Sequence, residues 1–354
     1  MNIRNPLMSG IAFVLLMTAC SQNDPATATL ETDAPASAGE VNVYSHRHYE
    51  ADEKLFAQFE ADTGIQVNVV KANADQLIER LKAEGENSPA DLLITVDVGR
   101  LTRAMDDGLI QPFSSAGMLS AIPAHLKDPD LHWVALTKRA RVIVYHKDKV
   151  EDLSTLPDYE QLADPAYQGR VITRSSTNIY NQSWIASMIA ANGEEATEVW
   201  AKSLVGNFAR EPEGNDRAQM RAVAAGVADF AVVNTYYLGL LVNGPAEDQQ
   251  VASQLKIHFP NQSGRGTHVN VSGIGVTKSA KNQEHAEKLV EYLLSPAAQK
   301  VFAETNFEYP VLPGVASSEL VESWGEFKAD ARSLNEVGKL GPDALKLADR
   351  AGWK

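Results

Sequence analysis

Val41–Val96 reads VNVYSHRHYEADEKLFAQFEADTGIQVNVVKANADQLIERLKAEGENSPADLLITV, and its apolar residues switch spacing several times. Val41–Tyr44 has the character of a short strand. Glu50–Thr63 places Leu55, Phe56 and Phe59 on one helical face and meets Gly64, a stop signal. Ile65–Val70 is strand-like again, Asp75–Glu84 carries Leu77, Ile78 and Leu81 at helical spacing, and Asp91–Val96 returns to strand. The order βαβαβ predicts parallel strands covered by helices.

The same alternation resumes beyond the apolar strand Arg141–Tyr145. A strand at Arg170–Thr173 precedes helices at Tyr180–Asn192, closed by Gly193, and Glu194–Leu204, and a strand follows at Asp229–Val233. Ser272–Val276 is a further short strand, with helices expected at Asn282–Leu294 and Pro296–Thr305. The expected fold class is therefore α/β in two lobes, each a mixed, mainly parallel sheet covered by helices. Hinge strands are expected near Arg139–Tyr145 and Ser272–Val276. Lobe 1 would comprise residues 41–138 and 277–316, lobe 2 residues 139–276, and the C-terminal helices residues 317–354. No repeat of 20 to 50 residues is visible. Ligands of open α/β sheets sit outside the carboxyl ends of strands, which here means a cleft between the lobes.

A chain of 354 residues can bury a sizeable core, and 44% hydrophobic against 22% charged residues excludes disorder for most of it. With 46 Asp+Glu against 32 Lys+Arg the formal net charge is -14, so no nucleic-acid partner is expected, whereas a small cation or a neutral solute is compatible. Residues 1–19 carry Arg4 and an apolar run from Gly10 to Ala19, too short to span a bilayer, and read as a signal peptide. Met17-Thr18-Ala19-Cys20 resembles the lipobox of bacterial lipoproteins, which makes Cys20 the expected lipidation site. Residues 20–40 would be a lipidated N-terminus and flexible linker, with the folded part beginning near Val41. Ser21 after Cys20 favours release to the outer membrane of a Gram-negative cell. Because Cys20 is the sole cysteine, no disulfide or thiolate metal site is available, and any metal must be held by oxygen and nitrogen.

No Walker loop, GxSxG elbow, HExxH or CxxC occurs, and an enzymatic reading lacks a nucleophile, a partner acid and a cofactor fingerprint. The informative residues are tyrosines at strand ends. Tyr49 follows Ser45-His46-Arg47-His48 in the first strand-to-helix loop, Tyr180 opens a helix, and Tyr236 and Tyr237 open another after Asp229–Val233. Singly, each has an ordinary explanation: a Tyr-Tyr pair packs, His48 is a solvated loop residue, and Tyr145 belongs to a core strand. Several phenols and an imidazole converging on one cleft would cost desolvation unless a hard cation held them. A phenol with a reference pKa of about 10 loses its proton at neutral pH only to a strongly acidic metal, and Fe(III) is one. Four phenolates and a neutral imidazole around it would leave one net negative charge, which Arg139 or Arg141 of the KRAR run could offset. A polyamine, an oxyanion or a sugar held by the same tyrosines is the alternative.

The strings NVYSHRHYEAD, SPADLLITVDVGRL, KRARVIVYHKDKV, RSSTNIYNQSWIASMI and VNTYYLGLL resemble, in order, the ferric-iron solute-binding proteins of ABC transporters, specifically the tyrosine-rich, iron-deficiency-induced branch of the bacterial transferrins. The resemblance runs from Val41 to about Val315. It implies the periplasmic-binding-protein type II fold and no enzymatic activity. It also implies iron held by His48, Tyr49, Tyr180, Tyr236 and Tyr237, with an arginine of the KRAR string, Arg139 or Arg141, beside the site. The neighbouring His46 competes with His48 for the imidazole role, and water is the other candidate for that position. The pattern of one His, one Glu and two Tyr with a bound anion that marks another branch is not found. The implied protein is a monomer in the periplasm, anchored to a membrane through lipid on Cys20. It closes on Fe(III), or on Fe(II) with a more protonated shell, and docks on an inner-membrane permease.

Overall fold

The computed structural model describes residues 38–115, 117, 119–150, 152 and 157–354. The signal peptide at residues 1–19, Cys20 and the linker through Ser37 lie outside the described residues.

The opening alternation folds as β1 (Gly39–Ser45), α1 (Glu50–Thr63), β2 (Ile65–Lys71), α2 (Ala74–Glu84) and β3 (Leu92–Val96), and β1 pairs in parallel with both β2 and β3. Gly64 closes α1 at φ 72°, a left-handed conformation that costs a residue without Cβ little. Asn73 and Gln76 cap α2 reciprocally. Strand β1 begins earlier than the expected edge at Val41: Gly39 and Glu40 pair with Ile65 and Gln66. The linker drawn to residue 40 is thus too long. The reason is long-range: the His285 ring lies where a Cβ on Gly39 would stand, and its Nδ1 is 3.0 Å from the Glu40 carbonyl oxygen, contacts made 245 residues away that local composition does not encode.

The chain continues with α3 (Val98–Asp106), β4 (Ile110–Gln111), β5 (Val134–His146), β6 (Val171–Ile172), α4 (Ile179–Asn192), α5 (Glu194–Gly206), α6 (Asp216–Ala224) and β7 (Phe230–Asn234). Then follow α7 (Tyr236–Val242), α8 (Ala246–Ala252), β8 (Leu255–His258), β9 (Val269–Thr277), α9 (Gln283–Leu293), α10 (Pro296–Asn306), β10 (Tyr309–Pro310), α11 (Glu319–Glu322), α12 (Leu334–Lys339) and α13 (Gly341–Arg350). The strands form one mixed sheet in the order β2-β1-β3-β9-β5-β7-β6, with β10 and β8 on β5 and β4 on β9. Parallel pairs lie towards its two ends, and β5 and β9 run antiparallel to their neighbours in the middle.

Strand β5 extends well beyond the apolar core Arg141–Tyr145. Its alternation serves two apolar clusters. Ala140, Val142 and Val144 join Met220, Val233, Tyr236 and Val269, while Ile143 and Tyr145 join the larger cluster with Trp184, Trp200 and Phe230. At the end of the chain α12 packs on α3, and α13 packs on α4 and α5. Among the described residues no helix is long and apolar enough to cross a membrane.

Candidate functional site: a cluster of four tyrosines

Three helix starts carry the phenols. Tyr49 is the N-terminal flanking residue of α1, Tyr180 lies in the first turn of α4, whose cap Asn178 accepts the Tyr180 backbone N–H at 3.0 Å, and Tyr236 and Tyr237 begin α7 directly after β7. Because a side chain at a helix start after a strand projects beyond the strand's carboxyl end, the three segments converge. The Tyr236 hydroxyl is buried and lies 3.4 Å from the Tyr49 hydroxyl and 3.4 Å from the Tyr180 hydroxyl. Tyr237 stacks on Tyr236 with ring centroids 4.2 Å apart. A good hydroxyl–hydroxyl bond is about 2.7–2.8 Å, so these oxygens are near neighbours without being tightly bonded to one another.

Burial, and then the proximity of Tyr180, pushes the Tyr49 phenol up to about 12. Burial followed by Tyr180, Tyr49 and Tyr237 raises Tyr236 further, and burial followed by Tyr180 and Asp216 raises Tyr237. Tyr49, Tyr236 and Tyr237 therefore resist ionisation, and each would resist it more once a neighbour carried charge.

Arginines cover the rings. The guanidinium carbon of Arg47 is 4.8 Å from the Tyr49 ring centroid, Arg139 and Arg174 are 5.6 and 5.4 Å from that of Tyr180, and Arg217 is 5.9 Å from that of Tyr237. Arg47 is fully buried and bonded to Asp52, Glu308 and Thr137. Arg141 donates to Asp216 at 2.9 Å, Asn234 at 3.2 Å and Asn181 at 2.7 Å, and Arg174 reaches the other oxygen of Asp216 at 3.2 Å. Arg139 differs. It is 1% exposed, donates from Nη1 to Ser272 Oγ at 3.2 Å, and leaves Nε and Nη2 without partners, with no carboxylate in salt-bridge range among the described residues. Of the two arginines expected beside the site, Arg139 faces Tyr180 with unused donors, and Arg141 is tied into the scaffold.

Asp216 →Ala is expected to destabilise the protein by about 3–5 kcal/mol, because it strips the partner from buried Arg141 and half-buried Arg174 together. Urea unfolding measures it, and a loss below about 1 kcal/mol would show the pairs to be dispensable.

His48 is exposed, and among the described residues its ring meets that of His46, 6.0 Å away and edge-on. His46 is partly buried with Nδ1 unpartnered, and burial followed by the Arg100 guanidinium lowers it to about 4, so it is neutral at pH 7. The structure brings the four tyrosines together and leaves His48 at their margin. Arg47, Arg174 and Arg217 are the neighbours that sequence reasoning missed. Arg47 and Arg174 adjoin the tyrosine strings in sequence, which was the available signal.

Asp97 secures the surroundings. It caps α3 at φ 81°, accepting from the Gly99 N–H at 2.9 Å, from Ser183 Oγ of α4 at 2.5 Å and from Asn270 Nδ2 of β9 at 2.9 Å. One buried carboxylate thus joins three elements, four bonds' worth of position being shared with the Val98 N–H, which donates to Asn270 Oδ1 at 2.9 Å.

The family model of bacterial extracellular solute-binding proteins matches residues 54–329. Iron uptake protein A1 of Synechocystis is 50% identical over 98% of this chain and 97% of its own length, and the major ferric iron-binding protein of Neisseria meningitidis serogroup B is 28% identical over 92% and 97%. Among solved structures, Trichodesmium IdiA (FutA) in complex with iron and citrate has a TM-score of 0.86 at 51% identity, covering 89% of this chain and 100% of that one. The ferric binding protein from Campylobacter jejuni has a TM-score of 0.84 at 45% identity, with 89% and 100% covered. On its sheet, its helices and these likenesses, the chain belongs to the bacterial extracellular solute-binding protein family, alongside the iron uptake proteins.

Proposed function

We propose that this protein captures ferric iron outside the cytoplasm and hands it to an ABC-transporter permease. The observation that carries the reading is the meeting of four phenol groups from three separate chain segments, beside a buried arginine with two donor nitrogens unused. Uncomplexed, this arrangement is unfavourable: the phenols are desolvated and a guanidinium is buried with donors unused. A trivalent cation reverses both terms. It displaces the phenol protons, and the resulting anionic shell offers acceptors to the unused donors of Arg139.

The oxygen spacing suits such an ion. At a metal–oxygen distance of about 2.0 Å, neighbouring oxygens lie about 3.3 Å apart in a four-coordinate tetrahedral shell and about 2.8–3.5 Å apart in a five-coordinate one, and the two observed separations are 3.4 Å. Tyr49, Tyr180, Tyr236 and Tyr237 are the ligands in this reading, and the fifth position is filled by His48 or by water. Arg139 balances the shell. Ferrous iron would bind the same site with more protons retained. A polyamine fits less well, because it takes no phenol protons and the nearby carboxylates Asp52, Glu308 and Asp216 are already paired with arginines.

The cleft is read as lying between residues 41–138 with 277–316 and residues 139–276, hinged on β5 and β9, and closing as iron binds. The names of the relatives support iron as the cargo and the periplasm as the place. Lipid attachment at Cys20, after removal of residues 1–19, rests on the Met17–Cys20 string, and a monomer is the expected form.

A visible absorption spectrum of the unit Ser37–Lys354, taken while ferric iron is added from a weak chelator, tests the reading. A phenolate-to-iron band that saturates at one equivalent and disappears on reduction is expected. No band with ferric iron, and no binding of ferrous iron, would return the tyrosines to an organic solute.

A further inference from the structure

Beyond the residues matched by the family model, the chain forms α12 and α13, and Trp353 and Lys354 then pack against the segment that leads to Tyr180. The Trp353 indole is 2% exposed and sits among Phe208, Trp184 and Trp200, with ring centroids at 5.3, 5.8 and 6.4 Å. From there its Nε1–H donates to the Arg174 carbonyl oxygen at 3.2 Å. Ser176 answers twice, its hydroxyl donating to the Trp353 carbonyl oxygen at 2.6 Å and its backbone N–H to the Lys354 carbonyl oxygen at 3.0 Å. Three hydrogen bonds therefore fix residues 174–176, the segment that enters α4 four residues before Tyr180.

The same segment is held on its other side by Asn181, whose Nδ2 donates to the carbonyl oxygens of Arg174 at 2.7 Å and Ser175 at 3.2 Å. With its backbone so fixed, Arg174 places its guanidinium over the Tyr180 ring and on Asp216. The tail is itself anchored. Arg350 pairs with Glu194 and Glu198 of α5 at 2.7 and 2.8 Å. Gly338 of α12 lies so close to α3 that a Cβ there would stand 2.1 Å from Thr102 Oγ1.

We propose that Leu334–Lys354 is a clasp, and that Trp353 is a positioning residue for the Tyr180 phenol, acting through the Arg174–Ser176 backbone. This rests on the iron reading above. The clasp touches no iron. It sets how firmly Tyr180 is held, and so how fast the metal leaves.

The test is a double-mutant cycle on Ser37–Lys354 with Trp353→Phe and Tyr180→Phe, reading the phenolate-to-iron band and the rate of iron release to a chelator. Phe keeps an aromatic ring in the cage but removes the indole N–H together with the volume of the second ring, so a packing control is needed. Trp353→Phe is expected to shift the band and speed release about tenfold, the scale of removing a group that orients a metal ligand. In the Tyr180→Phe background it should do nothing further. Trp133→Phe, in the core with an indole N–H that has no partner, controls for loosened packing and should move neither readout. Ser176→Ala, which removes a different bond of the same set, should repeat the effect if Trp353→Phe folds poorly. Unaltered release in both Trp353→Phe and Ser176→Ala, or equal effects with and without the Tyr180 hydroxyl, overturns the clasp. Absence of any band in the unsubstituted protein overturns the iron reading instead.

Discussion

Tyr236→Phe is expected to weaken ferric iron binding by more than about 100-fold and to shift the visible band, while the melting temperature stays within a few degrees. Removing an outer-shell partner of a metal ligand costs about 10–100-fold, and a ligand lost outright should exceed that range. The position is central: the Tyr236 hydroxyl neighbours those of Tyr49 and Tyr180, whereas its ring packs on Tyr237 and within the apolar cluster that includes Val142 and Val233. Phenylalanine retains the ring and its packing, and it deletes a buried hydroxyl whose contacts are long. Iron competition against a chelator together with thermal unfolding separates the two roles. Unaltered affinity would remove Tyr236 from the ligand set.

Affinity is also expected to fall by about tenfold per pH unit for every phenol that binds as phenolate, thus about 1,000-fold per unit if Tyr49, Tyr236 and Tyr237 all do. The sign follows from the directions of their shifts. All three are held above the ordinary phenol value of about 10, so all are protonated near neutrality, and iron must expel those protons to bind. Falling pH opposes the expulsion. For the iron-free fold the same shifts act at the other end of the scale: the stability Tyr49 contributes is present below about 10 and is lost as pH rises through about 12. Chelator competition between pH 6 and 8 gives the slope. A slope near zero would mean that the phenols stay protonated and hold something other than ferric iron.

The tyrosines were legible in the sequence because each follows a strand and begins a helix, and that placement alone aims a side chain beyond the end of the sheet. Their electrostatic surroundings were not. Arg47 reads as a loop cation until Glu308, 261 residues on, is folded against it. The run Lys138-Arg139-Ala140-Arg141 interrupts an apolar pattern, so β5 seemed to start at the hinge, yet Arg139 and Arg141 are 1% and 2% exposed within a continuous strand. Burial of charge depends on partners brought by tertiary structure, and periodicity carries no record of them. The tail at Trp353 was similarly opaque, since its partners Ser176 and Arg174 are 177 and 179 residues away.

The two-sidedness of β5 sets a limit on how this chain can change over time. Ala140, Val142 and Val144 point one way, and Arg139, Arg141, Ile143 and Tyr145 the other. Inserting or deleting a single residue between Arg139 and Val144 would exchange the faces beyond it, setting guanidinium groups against hydrocarbon on one side and valines against Asp216 on the other. A substitution there disturbs one side chain and its partners, whereas a change of length disturbs both faces at once. Lineages carrying this strand should therefore vary the length of their loops freely while keeping the distance between these arginines and the following valines constant.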